Sequence, residues 1–218
     1  MSESASEGAA SRWRDHSGNP APLGLCAFGM TTILLNIHNA GFFALGGVIL
    51  AMGVFYGGIA QIIVGLMEWK KGNSFGTLAF FSYGAFWLSF VLIVLFPSLG
   101  LGTAADSTSM AAYLGLWGIF TLVLFPIALR SSKALGFVFG SLALLFFILS
   151  LGKAFSSADL IMVAGYWGII VGASAIYTGV AQIYNEAFGR VVLPLCSKNE
   201  KWNLREDTKQ GSEMKSGK

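Results

Sequence analysis

Charge is what this sequence has least of. Of its 218 residues only 11% are Asp, Glu, Lys or Arg, while 55% are hydrophobic and the mean hydropathy is +0.67. A water-facing domain carries roughly 25% charged residues, so a soluble globular fold is excluded. The few charges are also unevenly placed: none lies between Asp15 and Glu68, and none between Lys71 and Asp106. Cysteine is nearly missing too. Cys26 sits within an apolar stretch and Cys196 near the other end, levels too different for a disulfide and without neighbours for a metal site. No H-E-x-x-H, no G-x-S-x-G and no Cys/His ligand cluster occurs, so the sequence offers no enzyme chemistry, and no cofactor or metal is expected.

What is present is apolar length. Uncharged runs of about 18 or more residues read as bilayer-spanning helices, because lipid gives backbone groups no outside hydrogen-bond partner. Cutting at polar breaks gives an all-α membrane protein of six spans, near Leu23–Phe42, Leu45–Met67, Phe75–Phe96, Ala111–Leu129, Leu135–Leu151 and Leu160–Tyr184. The run from His16 to Met67 must hold two of them, since about 20 residues cross one bilayer. The turn between them is expected near Gly41–Gly47. The fifth span is the shortest.

Orientation follows from the basic residues in the connections. With the N-terminus inside, every Lys and Arg except Lys153 falls on the cytoplasmic side, including Arg12, Arg14, Lys70, Lys71, Arg130, Lys133 and Arg190. Both termini are therefore expected in the cytoplasm. The net charge of +3 is then positive-inside bias and calls for no nucleic-acid partner. Residues 1–18 and 195–218, rich in Ser, Gly, Glu and Lys, are expected to be disordered cytoplasmic tails around a transport domain at 19–194. No small-residue cleavage site follows a short apolar run, so a cleaved signal peptide is not expected.

Glycine is abundant, at 28 residues, and forms three G-x-x-x-G spacings inside spans: Gly53/Gly57, Gly136/Gly140 and Gly168/Gly172. Small residues four apart let helix backbones approach closely, either within one subunit or between subunits. A partial echo links Tyr56-Gly-Gly-Ile-Ala-Gln61 in the second span to Tyr177-Thr-Gly-Val-Ala-Gln182 in the sixth. Both copies run in the same direction, which opposes a three-span inverted repeat and favours two similar walls of one path.

Polar residues within spans are costly and need a reason. The first span holds Thr31, Thr32, Asn36, His38 and Asn39; Gln61 and Gln182 lie in the second and sixth, and Thr121 and Ser174 are weaker candidates. Each amide is either interhelical glue or path lining; Asn36 and Asn39, three apart, share a face. His38 and Glu186 are candidate proton carriers, although Glu186 has Arg190 one turn on and reads first as a structural ion pair. No Lys or Arg is buried in a span. An anionic cargo would thus meet only neutral donors, or a helix N-terminus, which suits a small carboxylate and disfavours nucleotides or polyanions.

Before the first span stands Asn19-Pro20-Ala-Pro22-Leu-Gly24-Leu-Cys-Ala-Phe28. The two prolines are expected to force an extended entry. This segment resembles the signature of the acetate uptake transporter family (GPR1/FUN34/YaaH), and the likeness continues through Met30…Asn39, Phe55…Gln61, Ser82…Trp87, Gly172…Tyr177 and Asn185…Arg190. It is nearest to that family's bacterial succinate-acetate permeases. The resemblance implies a path through each subunit of a cyclic homo-hexamer. It also implies a hydrophobic constriction of Phe28, Tyr83 and Leu142, with Ala175 at a position tied to substrate size. On this reading the chain moves acetate, with succinate as a second cargo, across the plasma membrane together with protons. The competing readings are a passive channel for small carboxylates and a membrane sensor or scaffold.

Overall fold

The computed structural model describes residues 17–197; the expected tails lie mostly outside them. Among the described residues, six helices are long and apolar enough to cross a membrane: α1 Ala21–Asn39, α2 Gly47–Lys70, α3 Ser74–Leu95, α4 Ser107–Ser131, α5 Lys133–Ala154 and α6 Ala158–Phe188. All six expected spans are there. The turn between α1 and α2 runs through Gly41, whose φ of +90° only glycine adopts freely. The fifth span is longer than its apolar run, 22 residues, because Ser132 caps it by accepting from the Leu135 N–H at 3.1 Å.

Two expectations fail. Pro20 and Pro22 do not hold an extended entry: Pro20 sits in the right-handed helical region as N-cap and Pro22 lies in the first turn of α1. Proline's fixed φ suits that turn, and the N–H it lacks would have had no partner there. Arg190 also does not continue α6 beyond Glu186. The helix ends at Phe188 and the left-handed Gly189, φ +62°, turns the chain away, so the one-turn pair has no helix to sit on.

The helices close into a bundle in which α1 packs against α6 and α2, α2 against α3, and α4 against α5, which in turn meets α6. The G-x-x-x-G glycines serve this bundle. A Cβ on Gly172 would lie 2.6 Å from the Gly29 carbonyl, and one on Gly57 would strike Trp87 and Thr31. Gly136 and Gly140 likewise face Leu129 and Phe125 of α4. α3 and α4 instead meet through large rings, among them Tyr83, Phe86, Tyr113 and Trp117. In the middle of α2, residues Gly53–Ala60 form a π-helix rather than an α-helix.

The segment after α6 returns to the bundle. Asn185 holds it with its Oδ1 accepting from the N–H groups of Val192 (2.7 Å) and Leu193 (2.9 Å), while its Nδ2 donates to the Leu193 carbonyl. Tyr177 donates to the Pro194 carbonyl, and Ser197 pairs with Ser132 at the α4–α5 turn. The start of α1 is bound at the same end, where Lys71 Nζ donates to the Ser17 carbonyl at 2.8 Å. Lys70, Lys71, Arg130, Lys133 and Arg190 all belong to this end, and all five are exposed.

Candidate functional site

A cavity of about 440 Å³ opens between the helices at the basic end. Its floor is apolar: Phe28 from α1, Tyr83 from α3 and Leu142 from α5 all line it, and all three are buried in one cluster. Phe28 and Tyr83 stand with ring centroids 5.9 Å apart. Tyr83 is further fenced by Trp117 at 6.2 Å, Phe120 at 5.9 Å and Phe139 at 6.0 Å. Its hydroxyl donates to Thr121 Oγ1 at 2.9 Å, and the Thr121 hydroxyl donates in turn to the Trp117 carbonyl at 2.7 Å. The phenol is thus satisfied by protein and turned toward α4.

The rest of the wall mixes apolar side chains with polar ones and, among the described residues, carries no cation. Asn19, Gln61, Glu68, Asn73, Ser131, Ser132, Gln182 and Ser197 line it. Asn19 does two jobs in the signature: its Oδ1 accepts from the Ala21 N–H, capping α1, and its Nδ2 donates to Gln182 Oε1 at 3.0 Å. The first and last spans are therefore clipped together at the cavity mouth. Gly24 makes room nearby, since a Cβ there would run into the Phe80 ring. Gln61 is fully buried; Nε2 donates to the Gly57 carbonyl at 2.6 Å, while Oε1 has no protein partner. The echoed glutamines of α2 and α6 thus face one cavity.

Other candidates sit elsewhere. Thr31 bonds the Ala27 carbonyl of its own helix, and Ala175 is buried in the core. Asn36 donates to the Thr32 carbonyl and accepts from Asn39 at 3.0 Å. Its amide occupies the space a Cβ on Gly168 would need. Neither asparagine lines this cavity, nor do Thr31, Thr121 and Ala175. His38 Nδ1 donates to the Phe43 carbonyl at 2.8 Å in the α1–α2 turn, and Glu186 is exposed.

One lining residue escapes the sequence reading altogether. Glu68 was cut off from the second span at Met67, yet it is only 3% exposed and sits at the cavity wall. The signal was available: Glu68 follows Gln61 by seven residues, two α-turns, and so shares its face.

Comparison with known proteins fits this architecture. The Escherichia coli protein named succinate-acetate/proton symporter SatP is 58% identical over 177 residues, covering 81% of this chain and 94% of that one. Acetate permease A of Emericella nidulans is 30% identical over 194 residues, covering 81% and 65%. The solved structure of the bacterial acetate channel SatP superposes with a TM-score of 0.81 at 57% identity, over 82% of this chain and 99% of that one. The pattern that defines the GPR1/FUN34/yaaH family matches residues 3–197. With six spans, the Asn19–Phe28 signature and this extent of match, the chain belongs to the GPR1/FUN34/yaaH family.

Proposed function

We propose that this chain is a plasma-membrane transporter of acetate, and of succinate, that moves its cargo together with protons through a path within each subunit of a homo-hexamer. The observation that carries this reading is the cavity itself: a largely apolar vestibule with a few neutral polar groups, no Lys, Arg or His among the described residues that line it, and Phe28, Tyr83 and Leu142 in its wall. A narrow apolar floor excludes hydrated ions by the cost of stripping their water, whereas a small carboxylate presents a methyl or methylene group to it. The neutral amide N–H groups of Asn19 and Gln182 hold a single carboxylate weakly enough to release it. The basic end is the cytoplasmic one by the positive-inside bias, so the vestibule opens inward.

The names of the relatives divide between a proton symporter and a channel. The absence of any buried Lys or Arg among the described residues favours the symporter, because a proton can neutralise cargo where no fixed cation does. The test is uptake into proteoliposomes. Acetic acid crosses bare lipid, so rates are taken at alkaline pH with protein-free vesicles subtracted, and succinate serves as the less permeant probe. Uphill accumulation driven by an inward proton gradient is expected. Equilibration without accumulation would leave a passive channel, and no flux above bare lipid would reject transport.

A further inference from the structure

We propose that Glu68 is the proton-binding site that couples carboxylate movement to protons, an inference that rests on the transport reading above and deepens it. Among the described residues lining the cavity, Glu68 is the one carboxylate, no Lys, Arg or His lines it, and Tyr83 is the only other titratable group. The neighbours of Glu68 fix its geometry. Asn73 Oδ1 accepts from the Gly76 N–H at 3.0 Å to cap α3, so its Nδ2 must point the other way, and it donates to Glu68 Oε2 at 2.7 Å. Gly76 supplies the room, since a Cβ there would lie 2.9 Å from both Glu68 Cδ and Oε2. That leaves Oε1 buried with no protein partner.

A carboxyl oxygen in this position has two uses. Ionised, it is a buried negative charge in the wall of this cavity, and among the described residues no basic side chain lines the cavity to offset it. Protonated, Glu68 is a neutral acid in the wall of a vestibule whose other polar groups are amides and hydroxyls. Oε1 is buried from solvent, so a turn of the side chain brings it to a cargo carboxylate, which then accepts the O–H hydrogen bond and shares the proton, as two carboxyl groups close together must. The step balances simply: one proton from the outer solution goes onto the pair with the incoming anion, and one proton leaves Oε1 for the cytoplasm after the anion departs. The charges facing Glu68 are few. Lys71, on the same hairpin, is exposed and donates to the Ser17 carbonyl, and its positive charge still attracts the Glu68 carboxylate. Lys70 is exposed on the following turn, and Arg130 and Lys133 flank the α4–α5 turn without lining the cavity. Asn19, just before α1, and Gln61 and Gln182, from α2 and α6, do not titrate.

The experiment is acetate exchange by the full chain in proteoliposomes at equal pH on both sides, for the parent, E68Q and E68D. Gln keeps the shape of the protonated acid and can still meet Asn73. The parent should lose exchange about tenfold per pH unit once Glu68 ionises, E68Q should keep its rate into the alkaline range, and E68D should restore the dependence. An E68Q protein with the parent's pH slope would overturn the assignment, because the cargo would then bring its own proton. So would a folded E68Q that exchanges at no pH. Infrared difference spectra between acid and alkaline pH, without cargo, give an independent reading: a carboxylic C=O band in the parent that E68Q lacks. If that band is present while the parent moves no acetate, the cargo reading fails and the proton site stands; if the band persists in E68Q, the proton site fails.

Discussion

Replacing Tyr83 puts the constriction to a quantitative test. The ring touches Phe28, Trp117, Phe120 and Phe139, and the hydroxyl makes one buried bond to Thr121. Tyr83→Phe removes only that bond. Thr121 still donates to the Trp117 carbonyl, so no donor is stranded and the expected loss is about 1 kcal/mol. Tyr83→Ala removes the four ring contacts too and leaves a hole at the cavity floor, costing about 3–5 kcal/mol by the precedent of buried aromatic truncations. Transport should separate the two variants more sharply than stability does. The phenylalanine variant keeps the ring and should keep the ratio of succinate to acetate uptake near that of the parent. The alanine variant widens the floor, and relief of only about 1.4 kcal/mol in the barrier of the bulkier cargo is a tenfold rise in its rate. Thermal unfolding in detergent and initial rates of both labelled acids in proteoliposomes measure the two effects. A folded Tyr83→Ala protein with the parent's cargo ratio would refute the constriction, and Tyr83→Phe behaving like Tyr83→Ala would shift the role from ring to hydroxyl.

Other sites give simpler expectations. Gly172→Ala forces a Cβ to within 2.6 Å of the Gly29 carbonyl and of Ile33 Cγ1, so the α1–α6 pair must separate; a loss of about 1–3 kcal/mol in detergent unfolding is expected, and an unchanged midpoint would show the crossing is slack. Asn185→Ala unties the segment at Val192–Pro194 by removing three hydrogen bonds, and limited proteolysis after Gly189 should accelerate. Asp106 caps α4, and bonds from the Ser109 N–H first, then the Ser109 hydroxyl and the Thr108 N–H, hold its carboxyl below the usual carboxylate range. A pKa lowered by folding means the cap stabilises above the unfolded value and fades as pH falls through the folded one. Hydrogen exchange at Ser107–Met110 should therefore show less protection in acid, beyond its intrinsic pH dependence, and Asp106→Asn should flatten that change.

The spans were legible because a charge-free run long enough to cross lipid has few alternatives, and the caps at Asp106, Ser132 and Ser157 only moved their edges. The pairings across the bundle were not. Asn19 reads as a local turn residue, and nothing in its neighbourhood says that its amide reaches Gln182, 163 positions away. Glu68 was hidden for a different reason. A lone acid next to Trp69, Lys70 and Lys71 looks like the wet end of a span, and only the cap at Asn73 and the missing side chain of Gly76 fold it inward. The prolines misled by the same token: their stiffness was read correctly, but a helix start uses that stiffness as well as an extended strand does.

The π-helical stretch Gly53–Ala60 gives α2 a property that a uniform helix lacks. It holds more residues per turn than the α-segments on either side, so the part of α2 that carries Gln61 and Glu68 is rotated relative to the part that begins at Gly47. A change that let Gly53–Ala60 rewind as uniform α-helix at the same length would swing everything after it by on the order of 100°. Both polar groups would leave the vestibule although neither had been mutated. The winding of this stretch, and not only the residues it carries, therefore sets where Gln61 and Glu68 face.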